Sequence, residues 1–170
     1  MRRALILLLT CTLFVGGLWF APGFSGAAAF DYTIADGFGG SDGATVAVGV
    51  INRISGNARL DYLVGTGGSD AIRSLAGSYD RMMGGGAADQ FIFGVEALNG
   101  IRERDVILDY EVGVDSIVLE NGASVGAIRQ TSSSVVVFLE GDGDAIYVVG
   151  AGVTPENLTV VTNPVWDFFG

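Results

Sequence analysis

The chain has 170 residues, 27 of them glycine, with nineteen acidic against nine basic residues, no histidine and one cysteine. That length accommodates one domain, or one with a fragment of another, and a formal charge of −10 argues against nucleic acid and anionic membrane as partners. The lone cysteine excludes a disulfide framework and a thiolate metal site.

Residues 1–29 read as a secretory signal peptide or N-terminal membrane segment. Arg2 and Arg3 precede an apolar stretch over 4–21, and Ala27-Ala28-Ala29 offers a cleavage site before Phe30. Retention of 4–21 as a bilayer anchor is the alternative; after removal no membrane contact is expected. All nineteen acidic residues follow Ala29. Carboxylates at that density serve solubility or favour a hard cation held between them.

Residues 30–52 form the next unit. Val46, Val48 and Val50 alternate as one face of a half-buried strand. Phe30–Ile34 reads as the partner strand, giving a hairpin with an acidic, glycine-rich loop. Residues 53–64, with Arg53, Asn57 and Arg59, read as a linker.

Residues 65–93 carry a repeat. Gly65–Arg73 (GTGGSDAIR), Leu75–Met83 (LAGSYDRMM) and Gly84–Ile92 (GGGAADQFI) align on Asp70, Asp80 and Asp89, and Ile72, Met82 and Phe91 follow two positions later. A period near nine residues signals a solenoid: glycine-rich turns, each leading into a short strand whose middle residue points into a narrow core. Ser74 is an extra residue in this alignment.

Over 94–162 glycines thin out and strands lengthen, at 105–108, 116–120, 125–130, 134–140, 145–150 and 158–161, with a short helical turn starting at Thr154-Pro155-Glu156. Gly122-Ala123-Ser124-Val125-Gly126 fits a nucleophile elbow, but the chain has no histidine to serve as its base. Asp105, Asp109, Glu111 and Asp115 suit cation ligation or a solvated edge better than a glycosidase pair, because no cleft-forming sequence surrounds them. Asp142 and Asp144 lie in a tight turn. Tyr62, Tyr79, Tyr110, Tyr147 and Trp166 follow no period, so core and strand packing is expected of them. Residues 163–170 form an apolar C-terminal tail.

The motifs GTGGSDAIR and GGGAADQFIF resemble the calcium-binding nonapeptides of the RTX, or hemolysin-type, repeat proteins, and Arg104–Leu119 (RDVILDYEVGVDSIVL) is similar to the segment that caps their repeats. FDYTIADGFGGSDGATVAVGV resembles the end of a cadherin-like or VCBS repeat. The resemblance implies an all-β fold: a short parallel β-roll capped by antiparallel strands and preceded by a hairpin. It also implies Ca2+ between turns two repeats apart. Asp70 and Asp89 would share one edge, with the carbonyls of Gly65, Gly67, Gly84 and Gly86, and Asp80 would face the other. Asp105, Asp109 or Asp115 would complete a site, with affinity on the order of 10⁻⁴ to 10⁻³ M. Thr66, Ala87 and the glycine-poor middle unit depart from the pattern, which leaves a turn array with vestigial sites as the alternative.

The resulting expectation is a non-catalytic, secreted calcium-binding module whose folding is coupled to extracellular calcium. It would be a monomer or part of a larger secreted assembly, with a cell-surface or host ligand left open. A fragment of a calcium-stiffened adhesin and the detached C-terminal domain of a secreted enzyme are the alternatives.

Overall fold

A computed structural model describes residues 24–35, 37–77, 79–94, 100–141 and 143–162. The chain divides into two units at Val50/Ile51, and no helix occurs among the described residues. The expected signal segment up to Gly23 and the tail from Asn163 lie outside them.

In the first unit β1 (Gly26–Ala35) and β2 (Ser41–Val50) pair antiparallel without a register break, from Gly26↔Val50 to Ala35↔Ser41. Both strands are longer than the sequence pattern implies, and the loop is correspondingly shorter. Ala27–Ala29, the expected cleavage site, lies within β1.

Among its described residues the second unit contains eleven strands: β3 (Asn52–Ser55), β4 (Tyr62–Val64), β5 (Asp70–Arg73), β6 (Arg81–Met83), β7 (Gln90–Phe93), β8 (Arg104–Ile107), β9 (Ser116–Leu119), β10 (Val125–Gln130), β11 (Val135–Leu139), β12 (Ala145–Val148) and β13 (Val160–Thr162). From β3 to β9, consecutive strands alternate between two sheets. One has five strands in the order β13-β9-β7-β5-β3, the other six in the order β10-β11-β12-β8-β6-β4. Strands two apart in sequence pair in parallel, Ile54↔Ile72↔Phe91↔Ile117 in one sheet and Leu63↔Met82↔Ile107 in the other.

Two sequence expectations change here. The stretch 53–64 is not a linker, because β3 and β4 lie in it and each forms the edge of a sheet. Parallel pairing also continues past Phe93 through β8, β9 and β13, so only β10-β11-β12 of the 94–162 region pair antiparallel.

Side chains on one face of each sheet meet in a shared core. Ile72, Met82, Phe91, Phe93, Ile107, Ile117, Leu119, Val135, Val137 and Val148 are fully buried there. One core residue on each strand from β3 to β9, and Ile146 on β12, stands two positions after an Asp, or after Asn52. The pairs run Asn52/Ile54, Asp61/Leu63, Asp70/Ile72, Asp80/Met82, Asp89/Phe91, Asp105/Ile107, Asp115/Ile117 and Asp144/Ile146. Residues two apart share a strand face, so the carboxylate at each strand start points to the same side as the core residue.

Of the tyrosines expected in the core, Tyr110 belongs to it. Tyr62 and Tyr79 are exposed and Tyr147 is half-buried. The segment around Pro155 is a hydrogen-bonded turn, Asn157 N–H donating to Thr154 C=O, rather than a helix.

Candidate metal centre

The alternation of strands creates two lines of turns. On the first edge, turns 65–69, 84–89 and 108–115 lead from the six-stranded into the five-stranded sheet; on the second, the connections β3 to β4, β5 to β6 and β7 to β8 lead back. Glycine is required where successive turns on the first edge touch. A Cβ on Gly65 would lie 2.1 Å from Gly84 O, and one on Gly85, at φ +97°, would lie 1.9 Å from Thr66 O. Only a residue without a Cβ lets the two backbones approach this closely.

Aspartates form a ladder along each edge. On the first edge, Asp70 N–H donates to Asp89 Oδ1 at 2.9 Å and Asp89 N–H to Asp115 Oδ1 at 3.0 Å, while Asn52 Nδ2 donates to Asp70 Oδ1 at 2.7 Å. On the second, Asp61 N–H donates to Asp80 Oδ1 and Asp80 N–H to Asp105 Oδ1, both at 2.8 Å. Glu103 N–H donates to Asp144 Oδ1 at 2.7 Å. Asp80, Asp89, Asp105, Asp115 and Asp144 therefore cap the backbone of the neighbouring coil, while Asp70 accepts the Asn52 side chain.

The sequence candidates sort by edge. Asp70, Asp89, Asp109 and Asp115 lie along the first, with Gly65, Gly67, Gly84 and Gly86 in the turns, and Asp80 and Asp105 lie on the second. Asp109 is occupied by the turn itself: its Oδ1 accepts from Gly84 N–H at 2.9 Å and its Oδ2 from Gly85 N–H at 3.0 Å. Asp115 Oδ2 accepts from Glu111 N–H. Asp70 Oδ2 accepts from both the N–H and the hydroxyl of Thr66, so the residue that departs from the glycine pattern supplies two donors.

Asp89 differs from the rest. It is 1% exposed, its Oδ2 has no hydrogen-bond partner, and that oxygen lies 2.1 Å from where a Cβ on Gly84 would be. Burial, followed by the nearby charges of Asp115, Asp70 and Asp109, raises its pKa from 3.8 to about 7, against the lowering effect of the Asp70 N–H. Burial also raises Asp115. A buried carboxylate without a donor calls for a proton or a cation.

The second edge meets the same demand differently. Ser74 is fully buried, and its hydroxyl lies 2.8 Å from Asp80 Oδ2 and 3.3 Å from Asp105 Oδ2. Burial raises Asp105 to about 7, with the charge of Asp80 adding to the effect. A neutral hydroxyl thus occupies the position between two carboxylates.

Sequence reasoning missed Ser74, Asn52, Asp61 and Thr66. The signal was available for two of them, since 52, 61, 70, 80 and 89 continue one spacing of nine or ten, each with an apolar residue two positions on.

Among the described residues, no three His, Cys, Asp or Glu side chains gather into a metal centre. A cation on the first edge would therefore draw on backbone carbonyls beside one or two carboxylates, a donor set of oxygens only that suits calcium. Asp89 Oδ2 is open, and Asp70 Oδ1, which accepts only from Asn52, keeps a second lone-pair direction. The residues present fit such an ion. The sequence matches no protein-family model and no curated protein.

Proposed function

We propose that residues 52–162 form a short parallel β-roll that binds calcium between the turns 65–70 and 84–89, as part of an exported module without catalytic chemistry of its own. The observation that carries this reading is the buried, donor-less Asp89 Oδ2 on an edge where Asp70, Asp109 and Asp115 add their negative charge.

In a calcium-poor compartment this edge holds carboxylates that burial and mutual repulsion disfavour. Calcium replaces that repulsion with attraction to Asp89, Asp70 and the carbonyls of Gly65, Gly67, Gly84 and Gly86. An ion that binds only the folded chain stabilises it by about 2.7 kcal/mol at a hundredfold excess over Kd. That is a large share of the 5–15 kcal/mol typical of a domain. Folding would then follow export into calcium-rich surroundings. The second edge, closed by Ser74, needs no ion under this reading.

Calcium titrated into the EDTA-treated full chain, followed by heat of binding and far-ultraviolet circular dichroism with magnesium as control, tests the proposal. A saturable heat for calcium, absent for magnesium and abolished by Asp70→Ala or Asp89→Ala, is the expected result. No heat, together with a spectrum already fully folded in EDTA, would reduce the sites to vestigial turns.

A further inference from the structure

On the outer face of the six-stranded sheet, cross-strand register aligns Arg129, Val136, Tyr147, Val106, Arg81 and Tyr62 in one row. Arg104 stands at the outward start of β8, two positions before Val106. The six strands contain three arginines and a single acidic residue, Asp105, which is buried. Neither Arg81 nor Arg104 has a carboxylate partner among the described residues. Arg129 lies 5.7 Å from the centroid of the Phe138 ring. In a chain whose acids outnumber its bases two to one, this face is cationic.

A cleft of about 430 Å³ opens on it, lined by Tyr79, Arg104, Val106, Ser133, Ser134 and Tyr147. Its volume falls within the roughly 300–1,000 Å³ of small-ligand sites. Two tyrosine rings supply flat apolar surface with hydroxyl tips, serines supply neutral donors and acceptors, and one guanidinium supplies a planar fork for a carboxylate.

We propose that this face binds an acidic polysaccharide, with a sugar ring seated between Tyr79 and Tyr147 and its carboxylate on Arg104. Arg81 and Arg129, in the row beside the cleft, meet acidic groups further along the chain. The charge pattern selects this occupant. A nucleic acid carries a phosphate at every unit, a charge density that three spaced arginines do not match in a chain of formal charge −10. A glycan with acids on alternate rings places neutral rings against the tyrosines and serines of the cleft. A neutral glycan would leave Arg104 without a partner. The inference is separate from the proposed cation edge.

The test is a titration of the full chain, in saturating calcium, with hyaluronan octasaccharide, beside a neutral maltooligosaccharide and a heparin octasaccharide. Saturable binding of hyaluronan above the neutral chain is expected. Arg104→Ala should lower affinity at least about tenfold, the loss of one charge-assisted contact. Tyr147→Ala should weaken binding while Tyr147→Phe retains most of it, and Arg53→Ala on the other sheet should change nothing. Unchanged far-ultraviolet spectra for the variants separate loss of the site from loss of the fold. Absence of hyaluronan binding overturns the proposal. So does binding that heparin matches and that Arg53→Ala weakens as much as Arg104→Ala does, which would mark a diffuse polyanion effect.

Discussion

Replacing Asp89 by Asn tests whether the first edge is built for a cation, because the change should act in opposite directions with and without calcium. The Asn keeps an oxygen to accept from Asp70 N–H and loses the charge. Asp89 has its pKa raised from 3.8 to about 7, which at about 1.36 kcal/mol per pKa unit bounds the cost of its buried charge near 4 kcal/mol. Burying the Asn amide, whose N–H2 finds no acceptor where Asp89 Oδ2 stood, offsets about 2–3 kcal/mol of this and leaves roughly 1–2 kcal/mol. The sign follows from linkage: a carboxyl whose pKa is raised on folding stabilises most below its unfolded value, and the benefit is lost as pH rises through about 7. At pH 8 in EDTA, Asp89→Asn should therefore be more stable than the parent chain by about 1–2 kcal/mol. In calcium it should be less stable by about 2–3 kcal/mol, having lost the ion's contribution. Urea unfolding followed by circular dichroism in both conditions measures the two differences. A variant that is less stable in both would refute the reasoning, since Asp89 would then be a structural cap needing its charge.

The metal-free chain should melt at a higher temperature at pH 5 than at pH 8, because burial raises Asp89 and Asp105 to about 7 and also raises Asp115; thermal melts across that range check it, and the difference should shrink in calcium. Gly85→Ala should cost about 3 kcal/mol or more, combining the contact with Thr66 O with a left-handed backbone. Gly67→Ala, whose Cβ would meet nothing within 4 Å, should stay within about 1 kcal/mol of the parent. Ser74→Ala should cost about 1–3 kcal/mol by leaving buried carboxylates without their hydroxyl, and calcium should not restore the loss in a denaturation series.

What the sequence revealed and concealed follows from how each turn is held. Asp70 and Asp89 were legible because their turns contact each other through glycines, and a glycine cluster before an aspartate stands out. The turn at 56–61 concealed itself because side chains hold it. Asn57 bonds Asp61 through both its N–H and its amide, and Gly56 N–H reaches Arg73 C=O, so its composition reads as a polar linker. The middle turn also lacks the glycine pattern, and Ser74, which looked like a spare residue, supplies its donor. Tyr62, Tyr79 and Tyr147 followed no period along the chain because strand register, not sequence spacing, brings Tyr62 and Tyr147 into one row. The division of carboxylates between two edges arises from the alternation of strands between sheets, and pairing across coils fixes which aspartates meet.

The central claim is that calcium sits between the turns 65–70 and 84–89, and amide hydrogen exchange measured with and without calcium tests it most directly. Protection should rise at the amides of Thr66, Asp70, Gly84, Gly85 and Gly86, and rise less across the 74–80 turn, where Ser74 already bridges the carboxylates. Exchange at the 65–70 and 84–89 turns that calcium leaves unchanged, or that magnesium slows equally, would contradict it.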